Sequence, residues 1–335
     1  MRFGLALPSY SFPDLDYSKA ARLRDFATGA EARGYESLWV IEHLLTARGL
    51  YSTAWLSPLE TLSFVAGCTS RIQLATGILI AALRNPVFVA KEIASLQFLS
   101  GGRFELGIGV GWDAHEYEVA GVPLRERGRR TDEILGIFER LWTGEPVTHH
   151  GRYYQFDDVV IDPPLSRKPP LWLAGGSKIV TELSPDPENM APTVLERICR
   201  HGDGWLGLWV SPGRYADATG RISRYASDAG REVTHWRHGM HVWCAFGTAA
   251  AARARLAAAM EDFYRTPFGK FERYCPCGTP DEIAAGLLPY VDAGCRSFNL
   301  IPLADSQELA IEGTEAVRAA LRGAVRAASH DRTFG

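Results

Sequence analysis

The chain has 335 residues, 46% of them hydrophobic and 22% charged, which is ordinary globular usage and provides for a sizeable buried core. Lys and Arg number 36 against 39 Asp and Glu, a net charge of −3 that gives no basic footprint for nucleic acid or an anionic membrane and leaves small-molecule chemistry. That length suits either two ordinary domains or one α/β barrel.

The opening MRFGLALPSYSF lacks the basic region, apolar run and small-residue cleavage site of a secretory signal and reads as a strand, so a cytoplasmic location is expected. No apolar run reaches about 18 residues without charge, so no membrane span is expected. From there, short apolar runs alternate with amphipathic stretches, the pattern of repeated βα units. The strand candidates are RFGLALP from Arg2, SLWVIEH from Ser37, QLATGILI from Gln73, FELGIGVG from Phe104, PLWLAGG from Pro170, GWLGLWV from Gly204, GMHVWCAFG from Gly239 and SFNLIPL from Ser297. Ser57-Pro58, Asn85-Pro86 and Thr279-Pro280 each place a capping residue before proline, and Gly34, Gly101 with Gly102, and Gly294 supply left-handed helix ends. Eight such units predict one (β/α)8 TIM barrel over 1–335, because a doubly wound open sheet usually stops at about five to seven strands.

Two segments interrupt the alternation. Residues 146–165, between the strand 4 and strand 5 units, alternate apolar and polar positions about the turn-like Asp157-Asp158 and are expected to form an antiparallel excursion. Residues 178–191 read as an irregular loop over the barrel mouth. The Ala/Arg-rich stretches 249–260 and 316–328 read as helices with solvated charged faces. The six cysteines are dispersed, and Cys275 and Cys277 stand too close for zinc or redox spacing, so they are read as reduced and structural.

In a barrel of this kind chemistry sits at the C-terminal ends of the strands. The polar and glycine residues placed there are Ser9 and Tyr10, Glu42 and His43, Gly77 with Arg84 and Asn85, Gly109, Gly111, Trp112 and His115, Gly175, Gly176 and Ser177, and His241. An imidazole at a strand end exchanges protons near neutral pH, and an adjacent carboxylate orients it or contacts a ligand, although alternation points only one of Glu42 and His43 inward. A satisfied structural histidine fits that local pattern equally well. LGIGVGW puts glycine at 107, 109 and 111 of a strand, where close approach of a ligand ring and tight packing are both adequate reasons. It lacks the spacing of a dinucleotide fingerprint. AGGSK leaves backbone N–H groups open beside a hydroxyl and a lysine, suiting either a phosphate clamp or a plain turn. His241 also reads as a core histidine, and His149 and His150 lack a third metal ligand, so no metal is expected.

Taken together, SLWVIEH, TSRIQLATGILI, RNPVFVAKEIASLQFLSGGRFELGIGVGW, RGRRTDEILGIFERLWTGEPVTHHGRYYQF, PLWLAGGS, HGDGW and GTPDEIAAGL resemble, in order, the bacterial luciferase-like family of flavin-dependent monooxygenases and deazaflavin-dependent reductases. The resemblance implies a (β/α)8 barrel with His43 near the flavin ring and Glu42 at the acidic position before it. It further implies a non-proline cis peptide at Gly77-Ile78 backing the ring, Gly109 and Gly111 beside the flavin, His115 as a polar cofactor ligand, and Gly175, Gly176 and Ser177 at the cofactor phosphate. His241 is similar to a strand 7 histidine of sulfonate-cleaving members, but Gly239 stands where those carry arginine. Trp112 replaces the glutamate proton donor of sugar-phosphate dehydrogenases, which argues against sugar-phosphate oxidation.

What the resemblance leads us to expect first is a two-component monooxygenase using reduced FMN, delivered by a separate flavin reductase, and O2 on a small organic substrate. His43 and His241 are the catalytic candidates. Tyr51, Trp55, Trp112 and Met190 are expected to line the substrate site, and Trp112, Trp172 and Trp209 to keep it dry. The alternatives are hydride transfer with the deazaflavin coenzyme F420, for which Lys178, Arg84 and Arg48 near the mouth would meet the more charged tail, and a barrel that binds flavin without turnover. A homodimer is implied in each case.

Overall fold

A computed structural model describes residues 1–11, 17, 19–45, 54–176, 190–264 and 266–331. Eight parallel strands follow the candidates above: β1 (Arg2–Ala6), β2 (Ser37–Val40), β3 (Gln73–Thr76), β4 (Phe104–Ile108), β5 (Leu171–Ala174), β6 (Gly204–Leu208), β7 (Gly239–Phe246) and β8 (Ser297–Leu303). Each pairs with the next in sequence, and β8 returns to β1 through Ser297 opposite Arg2 and Asn299 opposite Gly4, so the sheet closes. The chain is a (β/α)8 barrel. The short strand Cys277–Gly278 adds to the side of β7, and Tyr10–Ser11 pairs with Ala54–Trp55 above the barrel; two-residue strands carry no periodicity from which to read them.

The connecting helices are α1 (Lys19–Ala32), α2 (Pro58–Cys68), α3 (Pro86–Leu99), α4 (Ala114–Val119), α5 (Arg127–Leu141), α6 (Pro192–His201), α7 (Pro212–Asp228), α8 (Ala249–Tyr264), α9 (Pro280–Asp292) and α10 (Gln307–Asp331). Their starts use the expected chemistry. Asn85 accepts from the N–H groups of Val87 and Phe88, and Thr279 with Glu282 forms a reciprocal capping box. Ser57 differs, because its hydroxyl donates to Glu60 instead of capping the backbone. Gly34, Gly101, Gly102 and Gly294 all take positive φ where helices end.

The excursion between β4 and β5 is a hairpin of Val147–His150 and Gln155–Val159. Its turn lies at 151–154, so Asp157 and Asp158 fall within the second strand, with Asp158 at φ 53 beside the register shift at Val147/His149. Of the 178–191 loop, 178–189 lie outside the described residues. Helices and outward strand residues share one core, including Phe3, Leu38, Leu74, Phe104 and Phe298, all fully buried. Inside the barrel Trp39, Ala75, Trp172 and Leu206 fill the lower layers, the two indoles edge to face at 5.6 Å. Trp172 belongs here: its Nε1 donates to buried Glu105 at 2.8 Å, and Glu105 also pairs with Arg2 and Arg237 at the N-terminal end. This ionic plug removes Trp172 from the mouth, where it was expected. Among the described residues no helix is long and apolar enough to cross a membrane, and no group of three or more His, Cys, Asp or Glu is placed to hold a metal.

Candidate active site at the C-terminal end of the barrel

Past the end of β2 the chain carries Glu42 and His43 to different surroundings. Glu42 is buried, accepts the Ile80 N–H at 2.5 Å and pairs with Arg84. It therefore ties the end of β2 to the segment after β3 and faces away from the mouth. His43 turns the other way. Its ring lies tilted against Trp55 at 4.8 Å and edge-on to Trp112 at 6.0 Å, with Phe263 of α8 5.3 Å from Trp55. Its Nδ1 lies 3.3 Å from Oε1 of Glu116, a side chain almost fully buried on α4. The same oxygen accepts the N–H groups of Leu44 at 2.7 Å and Leu45 at 3.3 Å.

Opposite this pair is a wall built from β3 and β4. The Gly77-Ile78 peptide is cis, the geometry the resemblance implies. A Cβ on Gly109 would meet Ile78 at 2.6 Å, and one on Gly111 would meet Ile80 at 3.0 Å. The space those glycines leave is thus filled by isoleucines of the same wall, which lets the β3 segment lie close against β4. Gly107 has a different reason: its Cβ would sit 2.0 Å from the Thr76 carbonyl oxygen, so backbone approach between the strands demands glycine there.

Below the wall, the His241 ring packs under Gly77, whose Cβ would touch it at 2.7 Å, and edge-on to Trp39 at 5.4 Å. Its Nδ1 is 2.5 Å from Asn299 Nδ2, while His241 Nε2 and Asn299 Oδ1 are buried without a partner among the described residues. Burial pushes this imidazole down to about 3, so it is neutral at ordinary pH and serves as a hydrogen-bonding group rather than as an imidazolium acid. Ser9 Oγ after β1 and Trp209 Nε1 after β6 are likewise buried and find no partner among the described residues. An apolar wall rimmed by a few unmatched polar atoms suits a flavin-type ring, with its apolar faces and polar edge.

His115 is exposed and sits 3.4 Å from Glu118 on the outer face of α4. Gly175 and Gly176 turn their carbonyls to Trp205 Nε1 and Arg214 Nη2, each at 3.0 Å. Met190 is buried against Gly176 beside α7, away from His43. Ser177, Lys178, Arg48 and Tyr51 lie outside the described residues. Glu116 is inconspicuous in the sequence because Asp113 to Glu116 has the spacing of a capping box, which signals a helix start. Asp113 does cap α4 through His115 N, but Glu116 reaches instead to the end of β2.

Residues 1–185, more than half of the chain, match the luciferase-like monooxygenase family, and the chain belongs to it. An F420-dependent glucose-6-phosphate dehydrogenase of Kineococcus radiotolerans is 38% identical over 165 residues, 48% of this chain and 48% of that protein, so the chain spans about half the length of this relative. The enzyme of the same description from Amycolatopsis mediterranei is 28% identical over 305 residues, 81% of this chain and 85% of its own. Among solved structures, a monooxygenase from Streptomyces bottropensis superposes with a TM-score of 0.77 at 22% identity, over 97% of this chain and all of that one, a likeness of fold.

Proposed function

We propose that this protein is an oxidoreductase that moves a hydride between coenzyme F420 and an uncharged, largely apolar organic substrate, with His43 exchanging the accompanying proton. The observation that carries the reading is His43 itself, held by a buried carboxylate and packed against the indoles of Trp55 and Trp112, so that among the described residues a proton-exchanging group stands within an aromatic cluster at the mouth. The two F420-dependent relatives support the deazaflavin over FMN. Trp112 stands where a second acid would serve a sugar phosphate, which favours a substrate other than theirs.

The wall of Ile78 and Ile80 over Gly109 and Gly111 would hold the ring. Ser9, Trp209 and His241 would meet its polar edge, and Arg214 at the start of α7 would bring a cation toward the acidic tail near Gly176. When bound, the deazaflavin supplies two-electron hydride chemistry. The protein's part is to orient that ring, to exclude water with Trp55, Trp112 and Phe263, and to give or take one proton at His43.

The same dry mouth favours a second reading, a monooxygenase using reduced FMN from a separate reductase together with O2. Purified protein titrated with each reduced cofactor, with and without oxygen, against a panel of small alcohols, ketones and enones tests both. Turnover with F420 in the absence of oxygen supports the proposal; product carrying oxygen from O2 replaces it with the second reading. Binding without turnover in every arm leaves a flavin-binding barrel. His43→Ala should retain cofactor affinity and lose at least about 100-fold in turnover.

A further inference from the structure

Three groups converge on a single carboxylate oxygen above the barrel. Glu116 Oε1 accepts the backbone N–H of Leu44 and of Leu45, and His43 Nδ1 approaches the same atom at 3.3 Å. An oxygen already accepting from two N–H groups presents lone pairs alone, so Nδ1 must be the donor in the third contact. In the neutral ring the second nitrogen, Nε2, is then the one without a proton.

Nothing about α4 requires this arrangement for its own stability. Asp113 already caps the helix through His115 N, and Tyr117, the next residue, anchors it by donating to the Val110 carbonyl at 2.5 Å. Glu116 is nevertheless almost fully buried, and its reach is to the residues that carry and follow His43. Trp55 packs on the ring as well, so the imidazole is held by both a carboxylate and an indole.

We infer that Glu116 is the positioning residue of the site: it locks His43 with its proton on Nδ1 and makes Nε2 the nitrogen that takes a proton from the substrate or returns one. This deepens the function proposed above and rests on it for the word substrate, but the tautomer is a property of the chain alone. The two backbone N–H groups add a second role. They bind the chain after His43 to the same oxygen, so the position of the ring and the course of that segment are set together.

The test uses full-length protein with isotopically labelled histidine and no cofactor. Nitrogen spectra at a pH where the ring is neutral distinguish the two tautomers, and His43→Gln identifies the His43 signals among the nine histidines. The expected result is Nδ1–H in the wild type, a mixture of tautomers in Glu116→Ala, and restoration of Nδ1–H in Glu116→Gln, which keeps an acceptor oxygen. With F420 and a reacting substrate, Glu116→Ala should lower kcat roughly tenfold or more at little change in KM, and Glu116→Gln should recover part of it. A proton on Nε2 in the wild type overturns the inference even if Glu116→Ala does not fold. So does an unchanged tautomer in a folded Glu116→Ala. Normal turnover in His43→Ala would remove the proposed function while leaving the tautomer result standing, so the two failures are told apart.

Discussion

Asn299 on β8 holds His241 on β7 by its side chain, Nδ2 to Nδ1 at 2.5 Å, inside the barrel. Burial pushes this histidine down to about 3, whereas in the unfolded chain it titrates near 6.5. Between those values the unfolded state binds the extra proton, so the stability is fully present above about pH 6.5 and is lost as pH falls toward 3. At pH 5 the loss from this one group is about 2 kcal/mol. His238, pushed down to about 4 by burial, acts in the same direction. Urea unfolding at pH 7.5 and 5.0 should show His241→Gln losing much of the wild type's dependence on pH; equal dependence in both proteins would refute this account.

Removing one partner of a buried ion pair costs more than the pair contributes, because the other charge is stranded. Among the described residues, Glu42 keeps the Ile80 N–H alone once Arg84 is gone. Arg84→Met should therefore destabilise by about 3 kcal/mol, and adding Glu42→Gln should recover a good part of the loss. A double-mutant cycle by denaturant unfolding measures the coupling, and simple additivity would contradict it.

Gly107 in β4 and Gly109 just past its end should respond differently to alanine. Gly109→Ala drives a methyl into Ile78, a flexible side chain, at a cost of about 1–3 kcal/mol that Ile78→Ala should relieve. Gly107→Ala meets the Thr76 backbone carbonyl, so Ile78→Ala should bring no relief. Thermal melts of the single and double variants separate the cases.

That difference also shows what the sequence could tell. Glycine at 107, 109 and 111 was legible as close approach, but which neighbour approaches depends on how β3 continues past Thr76, which is set by packing across strands. The barrel order was legible because each buried strand is a short apolar run bounded by turn chemistry, and periodicity reports that directly. His43 stood out because a titratable residue ending such a run is conspicuous. Glu116 and Asn299 did not, since one sits in a stretch that reads as a helix start and the other in an apolar strand, and their roles arise only when β2 meets α4 and β8 meets β7. The surroundings of His115 were illegible for a related reason. A six-residue helix gives too few turns to fix which face points inward, and Glu116, one position later, takes the inner face.

Ser9, just past β1, offers a test of the mouth that needs no knowledge of substrate. Its hydroxyl is buried and has no partner among the described residues, although its backbone N–H donates to the Leu7 carbonyl and its carbonyl accepts from Leu56. A buried hydroxyl without a partner costs about 1–3 kcal/mol, so Ser9→Ala should raise the stability of the cofactor-free protein by about 1 kcal/mol. If that hydroxyl instead serves the bound ring, the same change should weaken reduced F420 binding several-fold, the usual exchange of stability for function at a site. Denaturant unfolding gives the first quantity and fluorescence titration the second. A variant that is more stable and binds equally well would take Ser9 out of the cofactor site, and a less stable one would mean the hydroxyl has a structural partner in solution.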